Sequence, residues 1–372
     1  MGLGYRILGR PLLAVQDSEK AHQRTLRILA AFEKGPTRRW TLRRIGRQRS
    51  LPTTIFGQTF ANPIGLAAGM DKRADALLAW EQLGFGWVEY GGITGQVQPG
   101  NPKPRMFRAP REQALVNRMG FNNPGCDSIA KSLIQRKQKQ RWPTVPVAAN
   151  IGRSKLVGNE EAEADYNRTL TALWPHADMF VINVSSPNTP DLRALQDDQT
   201  LAILLSTITG TAKKLAEDDG ITAKPVLVKI APDLTNDQIQ AIADAATQSE
   251  ISGIVATNTT TTRPNTTNAK SAKVFAETGG LSGRPLRQRA DEVCKLLYRH
   301  TDGNLPIIGV GGIDSGATAW QRIASGASLL QLYSGLIFQG ADLPGRIVEH
   351  LVRELETRGM STIEEAIGCE AS

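Results

Sequence analysis

A closed (β/α)8 TIM barrel carrying an N-terminal helical extension is the fold this 372-residue chain predicts, and three observations predict it. Eight short apolar runs, spaced by longer amphipathic stretches, begin near residue 60, which is the pattern of repeated βα units. Nearly every run ends in glycine or polar residues, as barrel strands do where their loops build a site. The third observation is charge. Residues 1–50 hold twelve Lys and Arg against Asp17, Glu19 and Glu33, a net +9, while the remaining 322 residues carry 32 basic and 33 acidic groups. The basic excess therefore precedes the repeating part.

Within the basic segment Leu26, Leu29 and Phe32 recur at helical spacing beside Ile28, with Ser18 placed to cap the helix. A second apolar set, Trp40, Leu42 and Ile45, sits among Arg38, Arg39, Arg43, Arg44, Arg47 and Arg49. A basic amphipathic pair suits an anionic membrane surface, where each Lys or Arg near lipid contributes about 1 kcal/mol. A solvated helical hairpin packed on the body is the plainer alternative, and nucleic acid also attracts such charge. No aromatic-stacking module or zinc signature supports a nucleic-acid partner. Residues 55–60, with Gly57 and Gln58 at their centre, read as a hairpin ahead of the barrel. The strands are expected over 63–69, 87–94, 146–152, 179–186, 226–231, 253–259, 306–312 and 329–335. Residues 51–360 make the barrel unit, and disorder is the expectation for the tail over 361–372. No apolar run approaches the roughly 20 residues of a membrane-spanning helix. The order of a signal peptide is absent. Cys126, Cys294 and Cys369 are odd in number and widely spaced, which disfavours a disulfide framework or a metal site and fits a reducing cytosol. Nothing in the sequence requires a partner subunit, and a monomer is compatible with it.

The strand endings carry the chemistry. The run from Met179 to Pro190 delivers Asn183, Ser185, Ser186, Asn188 and Thr189 to one short polar loop, broken by Pro187 and Pro190. Other runs end in Ala68, Gly69 and Lys72; in Gly91 and Gly92; in Asn150; in Lys229; and in Thr257, Asn258 and Thr259. A closed barrel brings all of these to one rim. Gly309, Gly311 and Gly312 after the seventh run, with Tyr333, Ser334 and Gly335 after the eighth, stand where barrels bind phosphate through backbone NH groups. Lys72 and Lys229 adjoin apolar strands, where an unpaired ammonium is costly to bury. Each needs an anion, either a ligand or a carboxylate such as Asp71 or Asp233. The set fits an anionic substrate beside a phosphate-bearing cofactor.

Several long motifs go further: Gly65-Leu-Ala-Ala-Gly-Met-Asp-Lys72, Asn117-Arg-Met-Gly-Phe-Asn-Asn123, Asn183-Val-Ser-Ser-Pro-Asn-Thr-Pro190, Val228-Lys-Ile-Ala-Pro-Asp233, Ala256-Thr-Asn-Thr-Thr260, Gly279-Gly-Leu-Ser-Gly-Arg-Pro285 and Ile308-Gly-Val-Gly-Gly-Ile-Asp314. In these the chain resembles the class 2, quinone-linked dihydroorotate dehydrogenases over residues 5–345. That resemblance implies oxidation of dihydroorotate to orotate with FMN and transfer of the electrons to membrane quinone, a step of pyrimidine synthesis. It implies attachment at the cytoplasmic face of a bacterial-type cell membrane. Ser186 matches the catalytic base, where cytosolic classes place cysteine. Lys72, Asn117, Arg118, Met119, Gly120, Phe121, Asn183, Asn188, Asn258 and Thr259 match the substrate-binding positions. Ala68, Gly69, Gly92, Asn150, Asn183, Lys229, Thr257, Gly283, Gly312, Tyr333 and Ser334 match the FMN positions. His22 and Arg108 match polar residues of the quinone tunnel. Three residues depart from the pattern: Gly92 stands where Thr or Ser is common, implying a lost flavin hydrogen bond; Asp191 replaces a frequent glycine; and Pro124 stiffens the chain after Asn123.

Overall fold

The computed structural model describes residues 16–371, so the part of the resemblance over residues 5–15 and the first fifteen residues of the basic segment lie outside the described residues. Two helices lead, α1 (Ser18–Phe32) and α2 (Pro36–Gly46). The cap of α1 is Asp17 and not Ser18: its side chain accepts from the Lys20 amide at 2.9 Å. A carboxylate at this position also meets the positive end of the helix. Proline opens α2 at its first turn, where its missing NH costs nothing.

A hairpin of β1 (Thr53–Ile55) and β2 (Gln58–Phe60) follows, turning through Phe56 and Gly57, both at positive φ. The barrel is formed by β3 (Ile64–Leu66), β4 (Trp87–Ile93), β7 (Val147–Ile151), β8 (Met179–Asn183), β9 (Val226–Ile230), β10 (Gly253–Ala256), β12 (Ile307–Val310) and β13 (Leu329–Leu332). Each strand pairs in parallel with the next along the chain, and β13 closes on β3. All eight lie within the runs expected from sequence. Phe60 from the hairpin meets Trp87 edge to face at 6.2 Å, and with Met179, Leu227 and Leu329 they fill the interior.

Strand periodicity selects the site. In β4, β7, β8 and β9 one set of alternate residues, among them Val88, Tyr90, Ala149, Phe180, Ile182 and Val228, joins the core shared with the helices. The other set includes Trp87, Ala148, Val181 and Leu227 and faces the barrel axis. Glu89, Asn150, Asn183 and Lys229 are two residues further along those same inward rows, so they too point to the axis, near its open end.

An element that local patterning did not reveal crosses that end: β5 (Met106–Ala109), β6 (Ala114–Asn117) and β11 (Gly280–Gly283) form an antiparallel sheet. It pairs Asn117 with Gly280 and Ala114 with Gly283, segments about 165 residues apart. The tail also differs from its expected disorder. Ile363, Ala366 and Ala371 are buried, and the amides of Gly368 and Glu370 donate to the carbonyls of Ile323 and Ala324.

Candidate active site

A cavity of about 990 Å³, mouth included, opens at the C-terminal end of the barrel strands. Its wall contains Ala68, Gly69, Gly92, Asn150, Asn183, Lys229, Thr257, Gly283, Gly312, Tyr333 and Ser334 from the expected cofactor set. It also contains Ser186, Lys72, Asn117, Met119, Gly120, Phe121, Asn188, Asn258 and Thr259. Arg118 departs from expectation. Its guanidinium leaves the cavity, lies over the Phe107 ring, and pairs with Glu277 at 2.6 Å. Its neighbours alternate toward the cavity, so the intervening long side chain turns out.

The polar groups form one connected network. Asn183 Nδ2 donates to Asn150 Oδ1 at 3.0 Å, and Asn183 Oδ1 accepts from Ser185 and from Asn258 Nδ2. Asn150 Nδ2 donates in turn to Glu89 Oε1 at 2.7 Å, and Gln331 Nε2 donates to Glu89 Oε2. Burial pushes the Glu89 carboxyl up and the Lys229 ammonium down, while each charge opposes the other's shift. Lys229 thus has Glu89 as its counter-charge. Asp233 is engaged by Arg193 at 2.8 Å and by the Thr260 and Thr261 groups.

Among the described residues no carboxylate forms an ion pair with Lys72. Its Nζ donates to Asn122 Oδ1 at 2.6 Å, and burial first, then the Arg105 charge, brings it down to about 7. Asp71 is occupied elsewhere, accepting from the Asp75 and Ala76 amides and from Trp80 Nε1. Ser186 is 7% exposed, and its hydroxyl accepts from the Asn188 amide at 3.3 Å. Three residues on, Thr189 Oγ1 is buried with no partner among the described residues.

At the far side of the cavity the amides of Gly311, Gly312, Ser334 and Gly335 have no protein acceptor among the described residues. Gly311 and Gly312 hold φ of 122° and 73°, which glycine adopts without strain. Converging free amides make an anion cradle, and a phosphate-bearing group fits them. Gly92 is explained sterically. A Cβ there would lie 2.6 Å from the Phe121 ring and 2.9 Å from Asn150 Oδ1, so Thr or Ser has no room beside these neighbours. Asp191 takes the left-handed region at φ 56°, as the glycine it replaces would.

A second cavity of about 1060 Å³ lies between α1 and the barrel, adjoining the first. Gly69 and Ser334 line the first cavity; Met70 and Leu336 line the second. Its wall is apolar, with Leu29, Trp80, Met106, Leu115 and Phe338, and His22 and Arg108 are among its few polar members. Burial and the Lys72 charge bring the His22 imidazole down to about 4, so it is neutral near pH 7.

A family model described as dihydroorotate dehydrogenase matches residues 50–355. The chain belongs to the dihydroorotate dehydrogenase family. It is 44% identical to the dihydroorotate dehydrogenase (quinone) of Gloeobacter violaceus, over 98% of this chain and 99% of that protein. It is 42% identical to the protein of the same name from Natronomonas pharaonis, covering all of both chains. Among solved structures, the dihydroorotate dehydrogenase of Eimeria tenella in complex with ferulenol superposes with a TM-score of 0.83 at 34% identity, covering 95% of each chain. Within this dihydroorotate dehydrogenase fold, Glu89, Gln331 and Asn122 escaped the sequence reading. Glu89 had a signal, since a carboxylate inside the apolar run of β4 demands a buried partner.

Proposed function

We propose that the chain oxidises dihydroorotate to orotate with FMN and passes the electrons to a membrane quinone. The observation that carries this reading is the placing of two unlike cavities on neighbouring residues of the chain: a polar one holding Ser186, Lys72 and Lys229, and an apolar one with His22 and Arg108, Gly69 lining the first and Met70 the second. A small anion fits the first and a lipid-like ring fits the second. Lys72, short of a carboxylate, takes the substrate carboxylate, and Asn117, Asn183, Asn188, Asn258 and Thr259 take the ring amides and carbonyls. Ser186 Oγ removes the proton beside the substrate carbonyl. As that proton arrives, the serine's own hydroxyl proton leaves through water and nearby hydroxyls such as Thr189 to solvent, and the Asn188 amide at 3.3 Å steadies the negative charge on the oxygen as it leaves. FMN, its phosphate on the Gly311, Gly312, Ser334 and Gly335 amides, would supply the hydride acceptor and the link to quinone. Lys229 lies where a cation favours a reduced, anionic ring.

No helix among the described residues is long and apolar enough to cross a membrane. We read residues 16–50 as a unit resting on the cytoplasmic face, with the basic side of α1 and α2 toward anionic lipid. The test is a steady-state assay of purified protein with dihydroorotate and, in turn, a quinone, fumarate and a nicotinamide as acceptor. Quinone is expected to give the highest rate. Faster turnover with fumarate or a nicotinamide would refute the acceptor, and colourless protein that no added FMN reconstitutes would refute the cofactor.

A further inference from the structure

We propose that the buried pair Glu19–Arg105 is a positioning device that ties the first turn of α1 to the substrate loops through Asn101, so that docking of the N-terminal helix sets affinity for the substrate. The proposal rests on the reading of the polar cavity as a dihydroorotate site. Most charged side chains of α1 face solvent, but Glu19 is 6% exposed, as is Arg105. They meet as a two-point fork: Arg105 Nε donates to Glu19 Oε2 at 3.0 Å and Nη2 donates to Oε1 at 2.8 Å. The remaining arm, Nη1, donates to the carbonyls of Pro99 and Asn101 at 2.8 and 2.9 Å. One guanidinium therefore fixes both the helix and the turn over 99–101.

That turn reaches the site. The Asn101 amide donates to the Met119 carbonyl at 3.1 Å, and its Nδ2 donates to the carbonyls of Arg118 and Asn188 at 3.1 and 3.2 Å. Asn101 thus clamps the loop bearing Asn117 and Met119 to the loop bearing Ser186 and Asn188. None of Glu19, Arg105 and Asn101 lines the cavity, so they act through the residues that do. Charge runs along the same path: the Arg105 cation disfavours protonated Lys72 and the Glu19 carboxylate favours it. Removing the Glu19 charge leaves a buried guanidinium free to swing from the turn, and it leaves Lys72 facing an uncompensated cation.

The test measures orotate binding to the full-length, flavin-loaded protein by calorimetry, alongside kcat and KM. Wild type that fails to bind orotate sinks the substrate reading and this proposal with it. Given binding, Glu19→Gln is expected to raise the orotate Kd and the dihydroorotate KM about tenfold, the size of a typical site-to-site coupling, while kcat stays within about twofold. Glu19→Asp, which keeps the charge, restores most of the affinity. Asn101→Ala raises Kd likewise with Glu19 and Arg105 intact, and the double variant Glu19→Gln/Asn101→Ala is no worse than the poorer single one. An orotate Kd unchanged in either single variant, or losses that add in the double, overturns the proposal. Should Glu19→Gln fail to fold, Asn101→Ala decides alone by the same criterion.

Discussion

Ser186 is held by its own loop: its oxygen accepts the Asn188 amide, and Asn188 Nδ2 reaches Asn117 Oδ1 at 3.5 Å across the cavity. Replacing it with alanine removes one hydroxyl and leaves Asn183, Asn150 and Lys229 in their network. Ser186→Ala is therefore expected to keep the bound flavin and lower the rate of flavin reduction by dihydroorotate by about 10² to 10⁴, the usual worth of a general base. Stopped-flow reduction at saturating substrate checks this, and a near-normal rate constant would reassign the base. Lys229 and Glu89 illustrate the other residue-scale lesson. Two charges inside a barrel are tolerated because each offsets the other's desolvation, and Asn150 and Gln331 satisfy the carboxylate oxygens.

At the scale of elements, α1 and α2 are joined to the barrel by buried polar anchors as well as by Leu29 and Leu42. Glu33, at the C-terminus of α1, is 1% exposed, and both its oxygens accept from Arg136 Nη2 at 2.7 Å. Its Oε1 also accepts the Ala79 amide at 3.1 Å. Burial pushes this carboxyl up and Arg136 resists the shift. Glu33→Ala strands a guanidinium that is 11% exposed, so a loss of about 3–5 kcal/mol is expected in urea unfolding. A loss under about 1 kcal/mol, typical of a surface pair, would show that the anchor is not buried in solution. The sheet of β5, β6 and β11 belongs to this scale too, because it carries Asn117 and Gly283 over the mouth that the barrel strands leave open.

Over the whole molecule, charge is segregated. The excess of +9 lies in residues 1–50, and within the described part Lys20, Arg24, Arg27, Arg38, Arg43 and Arg44 on α1 and α2, with Lys34 in the turn between them, are exposed. Two large apolar side chains are exposed among them, Ile28 at 49% and Trp40 at 56%, and the Arg44 guanidinium lies 5.0 Å from the Trp40 ring centre. Aromatic and basic groups together are what an anionic lipid surface takes up. The protein is expected to co-sediment with vesicles containing anionic lipid, to release them as salt rises from about 0.05 to 0.5 M, and to bind several-fold more weakly as Trp40→Ser. Equal binding to neutral and anionic vesicles would count against this orientation.

The chain on its own determined the eight parallel strands, because a strand buried on both faces must be an apolar run, and that constraint is local. It also determined which strand ends are polar, and motif resemblance carried Ser186, Lys72 and Lys229 into one site. Only the tertiary structure decided which partner each charge finds: Glu89 for Lys229 where Asp233 had been considered, Asn122 for Lys72 where Asp71 had been, and Glu277 for an Arg118 turned out of the cavity. It likewise decided the antiparallel sheet over the mouth, the packing of residues 363–371, and the steric reason for Gly92. The division has one physical cause. Periodicity and turn chemistry act between neighbours along the chain, whereas counter-charges, strand partners and excluded volume come from residues tens to hundreds of positions away.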